Sequence, residues 1–174
     1  MENNKSGMLK HAMTYGAIIG LILVAYIVIL YITGLTFKKG LGLVQYAVLF
    51  VGLYIGTKSY RDQALGGYIS YGNALGLGVL IALFVGVIAV FFNFILMRYI
   101  DPDLVEKNLV AIEEQLQNSR FIPEDQIDAA LERSRKSLTA VYSIPLGVLI
   151  FTFVGFVISL ITSAIVKKDS NPIA

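Results

Sequence analysis

The sequence predicts an all-α integral membrane protein: a four-helix bundle with a polar, amphipathic helical hairpin between the third and fourth spans. Three observations predict it. First, 56% of the residues are hydrophobic and only 15% are charged, against about 25% charged in an ordinary soluble domain. Second, Asp, Glu, Lys and Arg are absent from four blocks, Ala12–Phe37, Gly40–Thr57, Gln63–Met97 and Ser137–Val166. A span needs about 20 apolar residues, because the hydrocarbon layer is about 30 Å thick and a helix rises about 1.5 Å per residue. Third, nine of the twelve acidic residues fall between the third and fourth blocks, in Arg98–Lys136. A soluble domain with four buried helices would seldom hold charge-free runs of this length. A β-barrel would show short alternating segments instead.

The first span is read at about residues 13–35, after a short polar tail, Met1–Lys10. Lys5 and Lys10 precede it, as they would a signal peptide, but the apolar run is longer than the roughly 7–15 residues of a signal core. It is therefore taken as retained. A tight loop at Thr36–Gly40, with Lys38 and Lys39, makes the first two spans an antiparallel hairpin. The second span, about 41–57, is the shortest, with Lys39 and Lys58 positioned to snorkel at its ends. Next comes KSYRDQALGGYISYGN, Lys58–Asn73. Its leading charges, its Gly66–Gly67 pair and its three tyrosines suit the headgroup layer, as a turn plus a short surface or half-inserted segment. The third span is about 74–97.

The polar stretch, 98–138, reads as two extramembrane helices. Asp101-Pro102-Asp103 is a start signal: Asp caps, Pro fits the first turn, and Asp103 complements the dipole. Val105, Leu109, Ile112 and Leu116 then form one stripe. Asn118-Ser119-Arg120 breaks the helix, and Pro123 with Glu124 and Asp125 starts another. Ile127, Leu131 and Leu138 share a face there, interrupted by Ser134. Glu132 and Lys136 are a favourable i, i+4 pair. The two stripes are expected to cover each other, or the end of the bundle, before any partner. The fourth span, about 143–166, has Pro145 near its start and Lys167 and Lys168 at its end. The tail Asp169–Ala174 is expected to be disordered.

Four spans put both termini on one face, with Lys5, Lys10, Lys58, Arg61, Lys167 and Lys168 against Glu2, Asp62 and Asp169. The opposite face carries eight basic and nine acidic residues. The density of Lys and Arg near the span ends favours termini in the cytoplasm.

The absence of cysteine removes disulfides and thiolate chemistry. A net charge of +2 is too small to imply nucleic acid. The lone histidine, His11, is read as an exposed side chain at the membrane edge. No Ser/His/Asp set, HExxH, phosphate loop or paired intramembrane carboxylate occurs, so no catalytic, metal or cofactor site is expected. The strongest polar groups within the spans are Gln45 and Asn93, candidates for hydrogen bonds between helices. Glycine is the most patterned residue. Gly16 with Gly20, Gly52 with Gly56, and Gly72 with Gly76 are spaced by four; Gly78, Ala82 and Gly86 extend the pattern. Small residues so spaced let helices approach closely. Packing within the monomer is the first reading of these strips, and homodimerisation the second.

The segments GGYISYGNALGLG (Gly66–Gly78) and IDPDLVEKNL (Ile100–Leu109), with the acidic PEDQID (Pro123–Asp128) before the last span, carry a resemblance over nearly the whole chain. It resembles the bacterial membrane proteins of domain-of-unknown-function family 4199. The resemblance implies the four-span architecture and a multi-pass protein of the bacterial cytoplasmic membrane. It implies no activity. From the residues, the expected role is a non-enzymatic scaffold or accessory subunit. It would act by helix packing and contact with a membrane-protein partner or a second copy. The alternative is a small transporter or channel component for an uncharged solute.

Overall fold

The computed structural model describes residues 2–38, 40–118, 123, 126–139 and 143–168. Six α-helices follow in order: α1 (Glu2–Ile32), α2 (Leu41–Ala64), α3 (Tyr71–Ile95), α4 (Asp103–Gln117), α5 (Ile127–Thr139) and α6 (Ser143–Val166). A π-helical turn, Leu96–Ile100, prolongs α3. The only β pairing among the described residues is an isolated antiparallel bridge, Ile69 with Lys168. Among the described residues, four helices are long and apolar enough to cross a membrane. The fold is thus an all-α membrane helical bundle with a polar helical hairpin. Among the expected features, Lys39, the Ser119–Arg120 break, Glu124, Asp125 and the tail Asp169–Ala174 lie outside the described residues.

The chain divides into two compact units, Met1–Ala89 with Val148–Ala174, and Val90–Gly147. The core of the first unit is built on α3, where Ala74, Leu77, Ile81, Ala82 and Val85 are fully buried. Ala12, Ile19 and Leu23 from α1, Leu49, Leu53 and Tyr60 from α2, and Val166 from α6 complete it. The outer faces are as apolar as the core: Leu43 is 69% exposed and Leu149 66%. In water such faces would be a continuous liability. Against acyl chains they need no cover.

Helix ends follow local chemistry. The Gly34 N–H reaches the Tyr31 carbonyl and the Leu35 N–H the Leu30 carbonyl. This Schellman pair, with Gly34 at φ 68°, stops α1 at Ile32, short of the expected Leu35. At the other end α1 begins at Glu2, so the expected polar tail is helical.

The largest difference from the sequence reading is at Lys58–Asn73. Lys58–Ala64 is not a turn but the continuation of α2, and Tyr71 already begins α3. Nothing in KSYRDQA breaks a helix, and Tyr60 is buried against the core. The break waits for Gly66 and Gly67, at φ 65° and 93°, a region other residues rarely adopt. Pro145 lies in the first turn of α6, where a missing N–H costs nothing.

In the second unit, the wide turn closes with the Asp101 N–H on the Leu96 carbonyl at 2.8 Å. Asp101 then caps α4, its Oδ1 accepting the Asp103 N–H at 3.1 Å. Helices α4 and α5 pack on each other and both touch the π turn.

Candidate functional site

Small residues in the first unit create close approach, and the structure sorts them. A Cβ added at Gly16 would collide with Phe84 of α3 and lie 3.3 Å from the Ile81 carbonyl oxygen. At Gly20 it would meet Ile88 at 3.0 Å, at Gly52 Ile19 at 2.8 Å, and at Gly56 Ile81 and Tyr15. At Gly78 it would lie 2.6 Å from Ser159 Oγ, and at Gly86 3.1 Å from Phe151. These six glycines therefore sit at contacts of α1 with α2 and α3, of α2 with α3, and of α3 with α6.

Two others differ from expectation. Gly72 has open space where a Cβ would go, and Gly76 has only the Met8 methyl at 3.6 Å. Gly72 lies exposed in the first turn of α3, before the helix reaches its neighbours, so spacing alone misplaces it. Gly155, not singled out from the sequence, makes one of the tightest contacts, against Ala82 of α3. The signal was there: Gly147 and Gly155 are eight apart on one face of α6.

Gln45 is half-buried on α2, whereas Asn93 is exposed on α3. Asn93 therefore does not take the inward position expected of glue between helices. In a helix apolar all round, one polar residue does not mark the inward face. Among the described residues no three His, Cys, Asp or Glu side chains gather as metal ligands would.

The polar groups that do converge are at the end of the first unit nearest the termini. His11 is not an exposed edge residue. Its Nε2 lies 2.9 Å from the Gly56 carbonyl oxygen, and its ring stacks on Tyr15 at 4.5 Å and tilts against Tyr60 at 5.0 Å. A carbonyl only accepts, so Nε2 carries the proton. One turn further along α1, the Tyr15 hydroxyl donates to Ser59 Oγ at 2.8 Å. Arg61 donates from Nη1 to the Val166 carbonyl at 2.9 Å, satisfying the C-terminal end of α6, and grips both Asp62 oxygens. Backbone bonds between Ile69 and Lys168, both 3.0 Å, tie the α2–α3 turn to the end of α6. Deeper in, Thr57, Ser159, Thr162 and Ser163 are completely buried, and the hydroxyls of Thr57, Ser159 and Ser163 have no hydrogen-bond partner.

In the second unit the hairpin forms an open cleft of about 280 Å³. Leu109, Val110 and Leu131 give its apolar surface, and Glu106, Glu113, Glu132 and Arg135 its rim. The stripes read from the sequence face inward in part. Val105, Leu109 and Ile127 are buried, while Ile112, Leu116, Leu131 and Leu138 are half-buried. Leu104, outside the expected stripe, is buried as well. Arg135 clamps Glu106 with both terminal guanidinium nitrogens, Nη1 at 2.6 Å and Nη2 at 3.0 Å, which links α5 to α4. The Glu132–Lys136 pair is formed at 2.7 Å, and its hydrogen bond holds the Glu132 carboxyl below the ordinary glutamate range.

A family model described as a protein of unknown function, DUF4199, matches residues 14–168. No curated protein and no solved structure matches the chain.

Proposed function

Since the chain belongs to the DUF4199 family, whose function is unknown, we propose its role from geometry: a non-enzymatic membrane protein acting as a scaffold or accessory subunit, with the α4–α5 hairpin as its contact surface. The observation that carries this reading is the hairpin cleft. Val110 and the half-buried Leu131 stay accessible beside the buried Leu109, between two helices whose rims are charged. Val110 is 56% exposed, outside the pairing of the stripes. Three carboxylates and one arginine line the rim, and the arginine is already clamped to Glu106. The surface suits a partner segment that offers an aliphatic side chain flanked by Lys or Arg. The site of action is the bacterial cytoplasmic membrane, with the termini in the cytoplasm and the hairpin on the opposite face.

The test places a photo-crosslinking residue at Val110 and a second at Leu149, which faces outward on α6. The proposal expects one recurrent protein adduct at Val110, absent at Leu149 and lost in Glu113→Lys. Lipid adducts alone at both positions would contradict it. A second reading, a transporter or channel component for an uncharged solute, draws on the unpartnered hydroxyls of Thr57, Ser159 and Ser163. It expects crosslinks between copies of the chain instead, and solute flux that falls in Thr57→Val.

A further inference from the structure

We propose that the chain holds an anionic phospholipid, with an acyl chain in the groove between α1 and α2 and the phosphate at Lys58. The groove has a volume of about 400 Å³ and only apolar lining. Ile18, Ile19 and Ile22 of α1 and Ala47, Val48, Val51 and Ile55 of α2 form its walls, with Gly52 among the lining residues and Tyr15 toward the end nearest the termini.

Depth and direction point to a lipid. Ala47, Val51 and Ile55 form one lane of α2 at intervals of four, and Lys58 continues that lane, three residues past Ile55. From Ala47 to Lys58 the helix rises about 16 Å, close to the roughly 15 Å of one leaflet's hydrocarbon. The groove itself, Ala47 to Ile55, takes up about 12 Å of that depth, and a cation stands beyond it where that lipid's headgroup lies. Lys58 Nζ is 5.7 Å from the centre of the Tyr54 ring, which draws the ammonium back along the helix. The nearby carboxylate, Asp62, is engaged by Arg61 through both oxygens, so the lane ends in net positive charge. At the same level the Tyr15–Ser59 hydrogen bond joins the two helices and closes the groove.

A second copy of the chain fits less well. Ile18, Ile22, Val51 and Ile55 stand about half exposed along the rims and would hold another helix backbone away. The small residues that permit close approach, Gly52 and Gly56, are already used against Ile19, Ile81 and Tyr15. A two-fold interface on this lane would also set Lys58 near its own copy.

The test is mass spectrometry of the intact protein, released from vesicles of equal parts phosphatidylglycerol and phosphatidylcholine. The wild-type chain should retain about one phospholipid, enriched about fivefold in phosphatidylglycerol, as expected of one basic residue beside an anionic headgroup. Lys58→Gln should keep a lipid but lose the preference. Ala47→Phe and Val51→Phe, which fill the groove from its outer side without entering the core, should lose the lipid while melting as the wild type does. Wild-type protein released bare, an unchanged preference in Lys58→Gln, or equal retention in both groove variants would overturn the proposal. So would a dimer that Ala47→Phe dissociates, which would identify a second copy as the occupant.

Discussion

Thr57, Ser159 and Ser163 each bury a hydroxyl that has no partner. An unsatisfied buried polar group costs about 1–3 kcal/mol, whereas an apolar group of the same shape is close to neutral. Thr57→Val and Ser159→Ala should therefore leave the melting temperature in detergent unchanged or raise it. A clear fall in both would show that these hydroxyls are bonded in the membrane. The glycines give the opposite contrast. Gly52→Leu and Gly155→Leu push side chains into Ile19 and Ala82, and overpacking of this kind costs about 1–3 kcal/mol. Gly72→Leu enters open space and should melt as the wild type does. Equal losses at all three would mean that the contacts around Gly52 and Gly155 are not what stability depends on. Spacing made the glycine strips legible, because small residues four apart share a face. It could not separate Gly52 from Gly72, since a neighbour is needed and only the fold supplies one. His11 was illegible for the same reason. Its carbonyl partner is 45 residues away, and nothing local announces it.

At the level of elements, a helix boundary was legible where local chemistry states it. Asp101-Pro102-Asp103 states the start of α4 in local chemistry, and Asp101 does cap it. The end of α2 was placed too early because charge at Lys58–Asp62 was taken as the end of a helix. Charge ends a span, but a helix continues until its backbone is broken, here at Gly66–Gly67. The hairpin depends on both apolar contact and charge, and magnitudes rank them. The Glu106–Arg135 pair is more than half exposed on both sides, and exposed pairs couple by about 0.2–1 kcal/mol. Burying a Leu contributes about 1.5–3 kcal/mol. Leu109→Asp should thus open the hairpin, seen as spin labels on α4 and α5 moving apart, while membrane insertion persists. The charge swap Glu106→Arg with Arg135→Glu should keep it closed. Glu132 adds a pH dependence of known sign. Its folded pKa is lowered by Lys136, so its contribution is present above the ordinary glutamate range and is lost as pH falls through the lowered value. Amide signals of α5 should show that loss in acid, and Glu132→Gln should abolish it.

For the whole molecule, the membrane assignment rests on surface as much as on length. Residues such as Leu43, Leu149 and Phe153 are exposed on helices whose other faces already form the core. The four spans were legible because lipid selects long charge-free runs, and no tertiary contact is needed to see them. The role was not legible, because the sequence carries no recognised catalytic or metal-ligating motif and a contact surface is defined by what it meets. The central proposal, drawn from the even number of charge-free runs in the sequence, is four crossings, with the α1–α2 loop and the hairpin on one face and the termini on the other. The chain has no cysteine, so single cysteines report without background. The decisive measurement is labelling of Lys38→Cys, Ser70→Cys, Asn118→Cys and Lys168→Cys in intact cells with a membrane-impermeant maleimide. The account predicts that Lys38→Cys and Asn118→Cys label together and that Ser70→Cys and Lys168→Cys label only after the membrane is opened. Labelling of Lys38→Cys without Asn118→Cys, or of Asn118→Cys without Lys38→Cys, would place the loop and the hairpin on opposite faces and contradict it.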